Sequence, residues 1–365
     1  MRILKTKVKL KPHHLKPVLC VLVFALATYV CKTPIKNSLT DLFELFTLSS
    51  AMFNMPVGTM YLSKETVSEV LPTPTIPTTP DSVPEKDEEI IISAPVLSEP
   101  EIENRGDIES VTYTAQMSKN IILHGNGHIK NETNNPASAV QKILTKLPDI
   151  TLDDSGPQVL VMHTHTTESY EPYSRPFFDT TAPTRTTDLN YNMARVGEVI
   201  TKILTENGVS VLHDTTLHDH PSYNGSYDRS RITVKEYLEK YPSIKVVLDV
   251  HRDAIEREDG TRVKAAADIN GKSAAQIMII SGCDDGSMNM PNWRENLRFS
   301  AMLQNALETD YPNLMRPLYF CYRKYNQDLT KGSILVEFGT HANSLDEAMY
   351  SAELFSKTLV KVLKE

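Results

Sequence analysis

Three short apolar runs in this sequence end in side chains that bind metals or move protons. Val159-Leu160-Val161-Met162 leads into His163, His165 and Glu168; Val246-Val247-Leu248-Asp249-Val250 leads into His251, Arg252 and Asp253; Ile334-Leu335-Val336 leads into Glu337. Imidazole and carboxylate together are the ligand types of a hydrolytic metal centre, and a further carboxylate beside it can serve as general base. His163 and His165 stand two apart on a segment expected to be extended, so they point the same way, as joint ligands or as one ligand and one helper. Asp253 is expected to orient the His251 imidazole, as outer carboxylates do. Each residue also has a bland reading. The two histidines can bond loop backbone, and Glu337 can cap the segment 340–344, although an acid closing an apolar strand is costly unless solvated or paired.

For these ends to meet, their strands must lie side by side in one sheet. In an open α/β sheet the carboxyl ends of parallel strands converge on one crevice, where ligands bind. The surrounding pattern agrees. Helices are expected over 137–147, 189–204, 230–240, 293–309 and 346–364, from apolar residues three and four apart. Strands are expected over 159–162, 209–212, 246–250, 276–280 and 334–336. Alternating strands and helices imply an α/β fold, a mostly parallel sheet covered by helices on both faces.

The totals bound the rest. With 365 residues, 40% of them apolar, the chain can bury a sizeable core, and a net charge of −8 without a basic block in its C-terminal half argues against nucleic acid as partner. The four cysteines, Cys20, Cys31, Cys283 and Cys321, form no CxxC pair, so any metal is held by histidine and carboxylate; a Cys283–Cys321 disulfide stays open. Residues 1–16 read as a basic cytoplasmic tail and 17–31 as a membrane anchor. The apolar run is shorter than the ~20 residues of a full span, which Leu15 and a snorkelling Lys16 extend. Tyr29 and Val30 fit no cleavage site, so an uncleaved anchor is preferred to a signal peptide, with the remainder outside the cytoplasm. Residues 32–70 form a membrane-proximal stem, 71–112 a Pro-rich then acidic linker, and 113–365 the globular domain.

Other polar clusters are less specific. The loop around His213-Asp214, His218-Asp219-His220 and 222–227 either lines a polar groove or is an ordinary turn-rich connection. Asp228-Arg229-Ser230-Arg231 reads as a helix start, and Asp284 to Met290 lacks the glutamate of a calcium loop. No GxSxG is present for a serine hydrolase.

His163-Thr164-His165-Thr166-Thr167-Glu168-Ser169-Tyr170, Asp188-Leu189-Asn190, His213-Asp214, Ser222 to Tyr227, Asp249 to Ala254 and Leu335 to Gly339, in this order, resemble the stage II sporulation protein P family of endospore-forming bacteria. That resemblance implies a cell-wall hydrolase of engulfment, on the mother-cell side of the sporulation septum. It would cut the muramoyl-L-alanine amide and stem-peptide cross-links of peptidoglycan. Its implied partners are a lytic transglycosylase, sporulation protein D, and a membrane scaffold, sporulation protein M. A wider resemblance is to zinc N-acetylmuramoyl-L-alanine amidases, carried by His251-Arg252-Asp253-Ala254 and Leu335-Val336-Glu337. It implies an amidase-like fold with Zn2+ held by His163 or His165, by Glu168 and by His251, Glu337 as general base, and Arg252 assisting the oxyanion. Those amidases carry a glutamate ligand just before their first helix, where this chain has Thr186-Thr187-Asp188; Glu168 is the expected substitute, Asp188 the other candidate. The competing reading is a wall-binding module with a degenerate metal site.

Overall fold

A computed structural model describes residues 102–153 and 155–364. The expected tail, anchor and stem, and most of the linker, lie outside these residues. No helix among the described residues is long and apolar enough to cross a membrane. The chain runs through β1 (Arg105–Val111), β2 (Ile121–His124), β3 (Gly127–Asn131), α1 (Ala137–Ile143), β4 (Val159–Met162), β5 (Phe177–Asp179), α2 (Met193–Glu206) and β6 (Val211–His213). It continues through α3 (Ser226–Lys240), β7 (Val246–Asp253), β8 (Arg262–Ile269), β9 (Lys272–Ala275), β10 (Ile277–Gly282), α4 (Trp293–Asp310), β11 (Leu318–Cys321), β12 (Gly332–Thr340) and α5 (Leu345–Lys364).

Eight strands form the main sheet, in the order β2-β3-β11-β10-β12-β7-β4-β6. Its ladders are parallel except β2–β3 and β10–β12, so the expected mostly parallel sheet is present. Alternation decides the faces. Val159, Val161, Leu248, Val250, Val336 and Phe338 point to one side and pack with Val196 and Ile200 of α2, Leu297 and Leu303 of α4, and Ala352 and Phe355 of α5. Leu160, Met162 and Val247 point to the other side, under Val234 of α3. Farther along that second face, Ile280, Leu335 and Cys321 pack with Met278, Tyr319 and Tyr325.

Hydropathy alone misses a second sheet, β5-β1-β8-β9. Strand β1 lies inside the stretch expected to be linker. None of its residues is fully buried, so it carries no apolar pattern, and pairing with β5 and β8 sets its conformation. The β8–β9 hairpin does have a sequence signal. Asn270-Gly271 takes positive φ at both residues (55° and 77°), as a two-residue hairpin turn of the matching twist requires.

Three expected helix bounds are corrected. The helix expected from Ser230 starts at Ser226, one turn earlier. The helix expected from Leu189 starts at Met193, because the Asn192 side chain accepts from the Ala194 N–H at 3.0 Å and caps it there; Leu189 is 42% exposed. The helix expected to reach Leu147 ends at Ile143, and Leu147 is 82% exposed. Cys283 and Cys321 are both buried and both free, so the disulfide left open by the sequence is not formed.

Candidate active site

The parallel ladders bring the three chemical strand ends together. Glu337 pairs in register with His251, and Met162 with Asp249, so the residues that follow β4 arrive beside β7. His251 and Asp249 share a face of β7 two residues apart. Asp249 Oδ1 lies 2.7 Å from His251 Nε2 and also accepts from the Thr164 N–H at 2.8 Å, while its Oδ2 accepts from Thr164 Oγ1 at 2.7 Å. Burial works against the Asp249 carboxylate, but His251 and these donors outweigh it and hold its pKa below the ordinary value. This corrects the expectation for Asp253. Asp249 orients the imidazole, whereas Asp253 turns to Arg316 at 2.9 Å and caps the Ala254 N–H. The signal was available: an acid inside Val-Val-Leu-Asp-Val, two residues before a histidine on one strand.

With Nε2 committed to Asp249, His251 presents Nδ1 to Glu168 Oε2, 3.5 Å away. Glu168 Oε2 also takes the Arg252 backbone N–H at 3.2 Å, and its Oε1 takes Arg185 Nη2 at 3.2 Å. Burial raises the Glu168 pKa, but His251, Arg185 and Arg252 prevail and hold it well below the carboxylate range. Burial likewise opposes a charged His251, yet Asp249 and Glu168 hold its pKa well above 6.5. Arg252 uses its guanidinium on the backbone: Nε donates to the Ser169 carbonyl and Nη2 to the Thr184 carbonyl, both at 2.7 Å. Its head therefore braces the two loops that carry Glu168 and Arg185.

His163 and His165 do not point the same way, because strand geometry ends at Met162 and the chain turns through 164–167. His163 Nδ1 lies 2.9 Å from the Val250 carbonyl and its Nε2 lies 2.9 Å from His213 Nε2. The pair rests on α2 at Gly197, where a Cβ would stand 2.6 Å from His163 Nε2 and 2.4 Å from His213 Nε2. His165 instead sits 5.3 Å from the His251 ring, edge to face, and 4.5 Å from Tyr223 in a parallel stack. Both nitrogens of His165 are buried without a hydrogen-bond partner among the described residues. Burial lowers the pKa of each of these two histidines to about 3. Asp188 is exposed and bonds its own turn at Asn190, away from this cluster.

The loop after β6, ambiguous in sequence, folds over the cluster. His218 Nδ1 bonds the His163 carbonyl at 2.8 Å. Asp219 accepts from Thr167 Oγ1 at 2.6 Å and from Arg185 Nη1 at 2.5 Å. The Tyr227 ring lies 5.5 Å from His165, 6.5 Å from His251 and 5.1 Å from Tyr325. Asp219, Tyr223 and Tyr227 belong to the loop that the sequence left open between groove lining and ordinary connection, and here they line the site. Arg185 was not singled out from the sequence, because tertiary packing alone brings it here.

Glu337 stands at the edge of a groove of about 510 Å³ on the second face of the sheet. Its Oε2 is buried and has no hydrogen-bond partner among the described residues, and it caps no segment. Burial, helped by Asp253 and Glu168 and opposed by His251, pushes the Glu337 carboxyl up to about 8.

Among the described residues, no group of three or more His, Cys, Asp and Glu side chains stands ready to enclose a metal ion. The donor types nevertheless fit one at His165, Glu168 and His251. The 3.5 Å between Glu168 Oε2 and His251 Nδ1 is close to the ~3.4 Å separating two ligands of one tetrahedral ion. Asp249 supplies the outer carboxylate that such a histidine needs, and His165 brings two nitrogens without hydrogen-bond partners, its Nδ1 3.9 Å from Asp219 Oδ2.

Fold and site together define an α/β protein with a buried histidine–carboxylate centre at the carboxyl ends of its parallel strands. The chain belongs to the stage II sporulation protein P family, whose model matches residues 78–360. Stage II sporulation protein P of Bacillus subtilis (strain 168) is 30% identical over 214 residues, 54% of this chain and 50% of that protein. The chain thus matches about half the length of that relative. Among solved structures, N-acetylmuramoyl-L-alanine amidase AmiC2 of Nostoc punctiforme is 15% identical with a TM-score of 0.34, covering 58% of this chain and 99% of its own. The CwlD amidase from Clostridioides difficile, solved in complex with the GerS lipoprotein, is 12% identical with a TM-score of 0.36, covering 57% and 97%.

Proposed function

We propose that this protein is a peptidoglycan hydrolase of sporulation that cleaves the muramoyl-L-alanine amide and stem-peptide cross-links, with zinc held by His165, Glu168 and His251. Membership of the sporulation family supports the setting. The observation that carries the chemistry is Glu337: a buried carboxyl with one unpartnered oxygen, in register with His251 and open to a groove.

A bound zinc ion would supply Lewis acidity and a water of lowered pKa. The protein's own residues do the remainder. Asp249 fixes the His251 ring with Nδ1 facing inward, and Arg185 and the Arg252 N–H hold the Glu168 carboxylate against it. Glu337, in its ionised form, takes a proton from attacking water and returns it to the leaving amine, and burial, which raises its pKa to about 8, makes that carboxylate a stronger base. Tyr223 and Tyr227 shield the histidines from bulk water. Arg252 positions Glu168 and is not assigned to the oxyanion. One centre serves both cleavages if the groove accepts two poses of the peptide.

The same reading has the domain outside the cytoplasm, tethered by residues 17–31, with sporulation proteins D and M as partners. The test is digestion of purified peptidoglycan by the full chain, with mass spectrometry of products. Release of intact stem peptides, abolished by chelator and by Glu337→Ala, is expected. Retention on the wall without products, whether or not zinc is added, would refute the hydrolase reading.

A further inference from the structure

Hydrolysis of an amide turns the scissile carbonyl oxygen into an oxyanion, and a donor aimed at that oxygen is among the largest contributions a site can make. Most donors around the histidines are already spent. Arg185 donates to Glu168 and Asp219, the Thr164 and Thr167 hydroxyls donate to Asp249 and Asp219, and Tyr170 Oη donates to the Phe338 carbonyl at 2.9 Å. The Arg252 guanidinium is spent on backbone carbonyls. The Tyr227 hydroxyl forms no hydrogen bond among the described residues.

The Tyr227 ring stands where such a donor is needed. It lies 5.5 Å from His165 and 6.5 Å from His251, and those two rings are 5.3 Å apart, so the three close a compact triangle. It also packs at 5.1 Å on Tyr325, which lines the groove together with Glu337. A phenol keeps its proton at neutral pH at its ordinary pKa of ~10, and burial, with Asp249, Tyr325 and Glu337 nearby, raises that of Tyr227 further. Tyr223, the other phenol here, is held by Arg185 over its ring at 4.9 Å and by His165 at 4.5 Å, on the side of Asp219, to which Arg185 also donates. The backbone of Tyr227 is fixed to the same frame that orients His251. Its carbonyl accepts from Asn326 Nδ2 at 3.0 Å and from Ser230 Oγ at 3.2 Å; Ser230 Oγ lies 2.8 Å from Thr164 Oγ1, which donates to Asp249. Arg231 clamps Asp328 through both terminal nitrogens, at 2.8 and 2.7 Å, and so ties α3 to the loop that carries Tyr325 and Asn326.

We infer that the Tyr227 phenol is a further catalytic group of the proposed hydrolase, donating its O–H to the oxyanion formed from the scissile carbonyl. Water adds its oxygen to the carbonyl carbon and gives its proton to Glu337, and the carbonyl π pair moves onto oxygen. On collapse that pair returns, the C–N bond breaks, and the amine leaves with the proton from Glu337. Tyr227 keeps its own proton throughout, and its hydrogen bond is strongest when the oxygen carries full charge. The assignment rests on the hydrolase reading for its reaction, and it adds the donor that Arg252, spent on backbone, does not supply.

The test uses the purified full chain as wild type, Tyr227→Phe and Tyr223→Phe, with a synthetic muramoyl peptide and its phosphinate analogue, in which a tetrahedral P–O− replaces the scissile amide. Tyr227→Phe removes one oxygen and keeps the ring. It should lower kcat ~10²- to 10³-fold with little change in KM, the cost of losing one oxyanion donor. Phosphinate affinity, read by calorimetry, should fall ~10-fold or more, the scale of one charge-assisted hydrogen bond. Zinc affinity, read by competition with a chromophoric chelator, should not change. Phosphinate affinity unchanged in Tyr227→Phe, a loss confined to Tyr223→Phe, or a loss of zinc affinity that matches the loss of kcat would each overturn the inference. Tyr227-dependent binding of the phosphinate by a wild type that cleaves nothing would uphold the donor and refute the hydrolase. Cleavage by the wild type that Tyr227→Phe leaves intact would do the reverse, and a wild type that neither cleaves nor binds the phosphinate would refute both.

Discussion

Replacing Glu337 by glutamine should make the metal-free protein less pH-sensitive and, in mild alkali, more stable. The folded carboxyl has a pKa of about 8 against an ordinary 4.5, chiefly through burial. Below pH 4.5 the group is protonated in both folded and unfolded chains and costs nothing. Between 4.5 and 8 the unfolded chain ionises while the folded one keeps its proton, so stability is lost at ~1.4 kcal/mol per pH unit. The full penalty, reached above pH 8, is of order 5 kcal/mol for a shift of this size. Glutamine cannot ionise and removes that penalty. It places a buried carboxamide N–H2 where Oε2 has no partner, at a cost of roughly 1–3 kcal/mol. Glu337→Gln should therefore be less stable than the wild type at pH 5 and more stable by a few kcal/mol at pH 8.5. Urea denaturation of both chains in chelator, from pH 5 to 8.5, measures this directly. Parallel stability curves would show that Glu337 is already ionised in the fold, and the argument that burial tunes it would fail. On peptidoglycan, the same variant should lose roughly 10²–10⁴-fold in rate, the usual contribution of a general base.

Three further outcomes are expected. Asp249→Asn, which weakens the hold on His251 Nε2, should lower zinc affinity roughly 10- to 100-fold, read by competition with a chromophoric chelator. Gly197→Ala should cost stability despite the higher helix propensity of alanine, because its Cβ would meet both His163 and His213; a loss of ~1–3 kcal/mol is expected in thermal unfolding, and a gain would refute the close packing. Hydrolysis by the wild type should vanish with chelator and return with added zinc, whereas magnesium should not restore it, since imidazole ligands suit zinc and not magnesium.

Much of the fold was legible because its strands and helices are strongly patterned. The run Val159 to Met162 and the helix Met193–Glu206 are buried on defined faces, and burial is what hydropathy records. The four-stranded sheet was not legible, apart from its Asn270-Gly271 turn, since β1 and β9 are half exposed and gain their order from pairing. At the site, residue type and strand position selected Glu168, His251, Glu337 and one of His163 and His165, without deciding between the two histidines. The parity rule for His163 and His165 failed because it holds only within a strand, and the strand stops at Met162.

The sequence by itself determined the alternation of strands and helices, the three strand ends that carry chemistry, and the family to which they belong. Those are properties of local pattern, and neighbouring residues suffice to specify them. Only the tertiary structure decided which histidine faces His251, that Asp249 and not Asp253 orients it, that Arg252 braces backbone, and that Glu337 lines a groove while one of its oxygens is buried without a hydrogen-bond partner. These arrangements rest on segments distant in the chain that meet at the strand ends, or on burial by such segments. Register across parallel strands sets those meetings, and no short stretch of sequence encodes that register on its own.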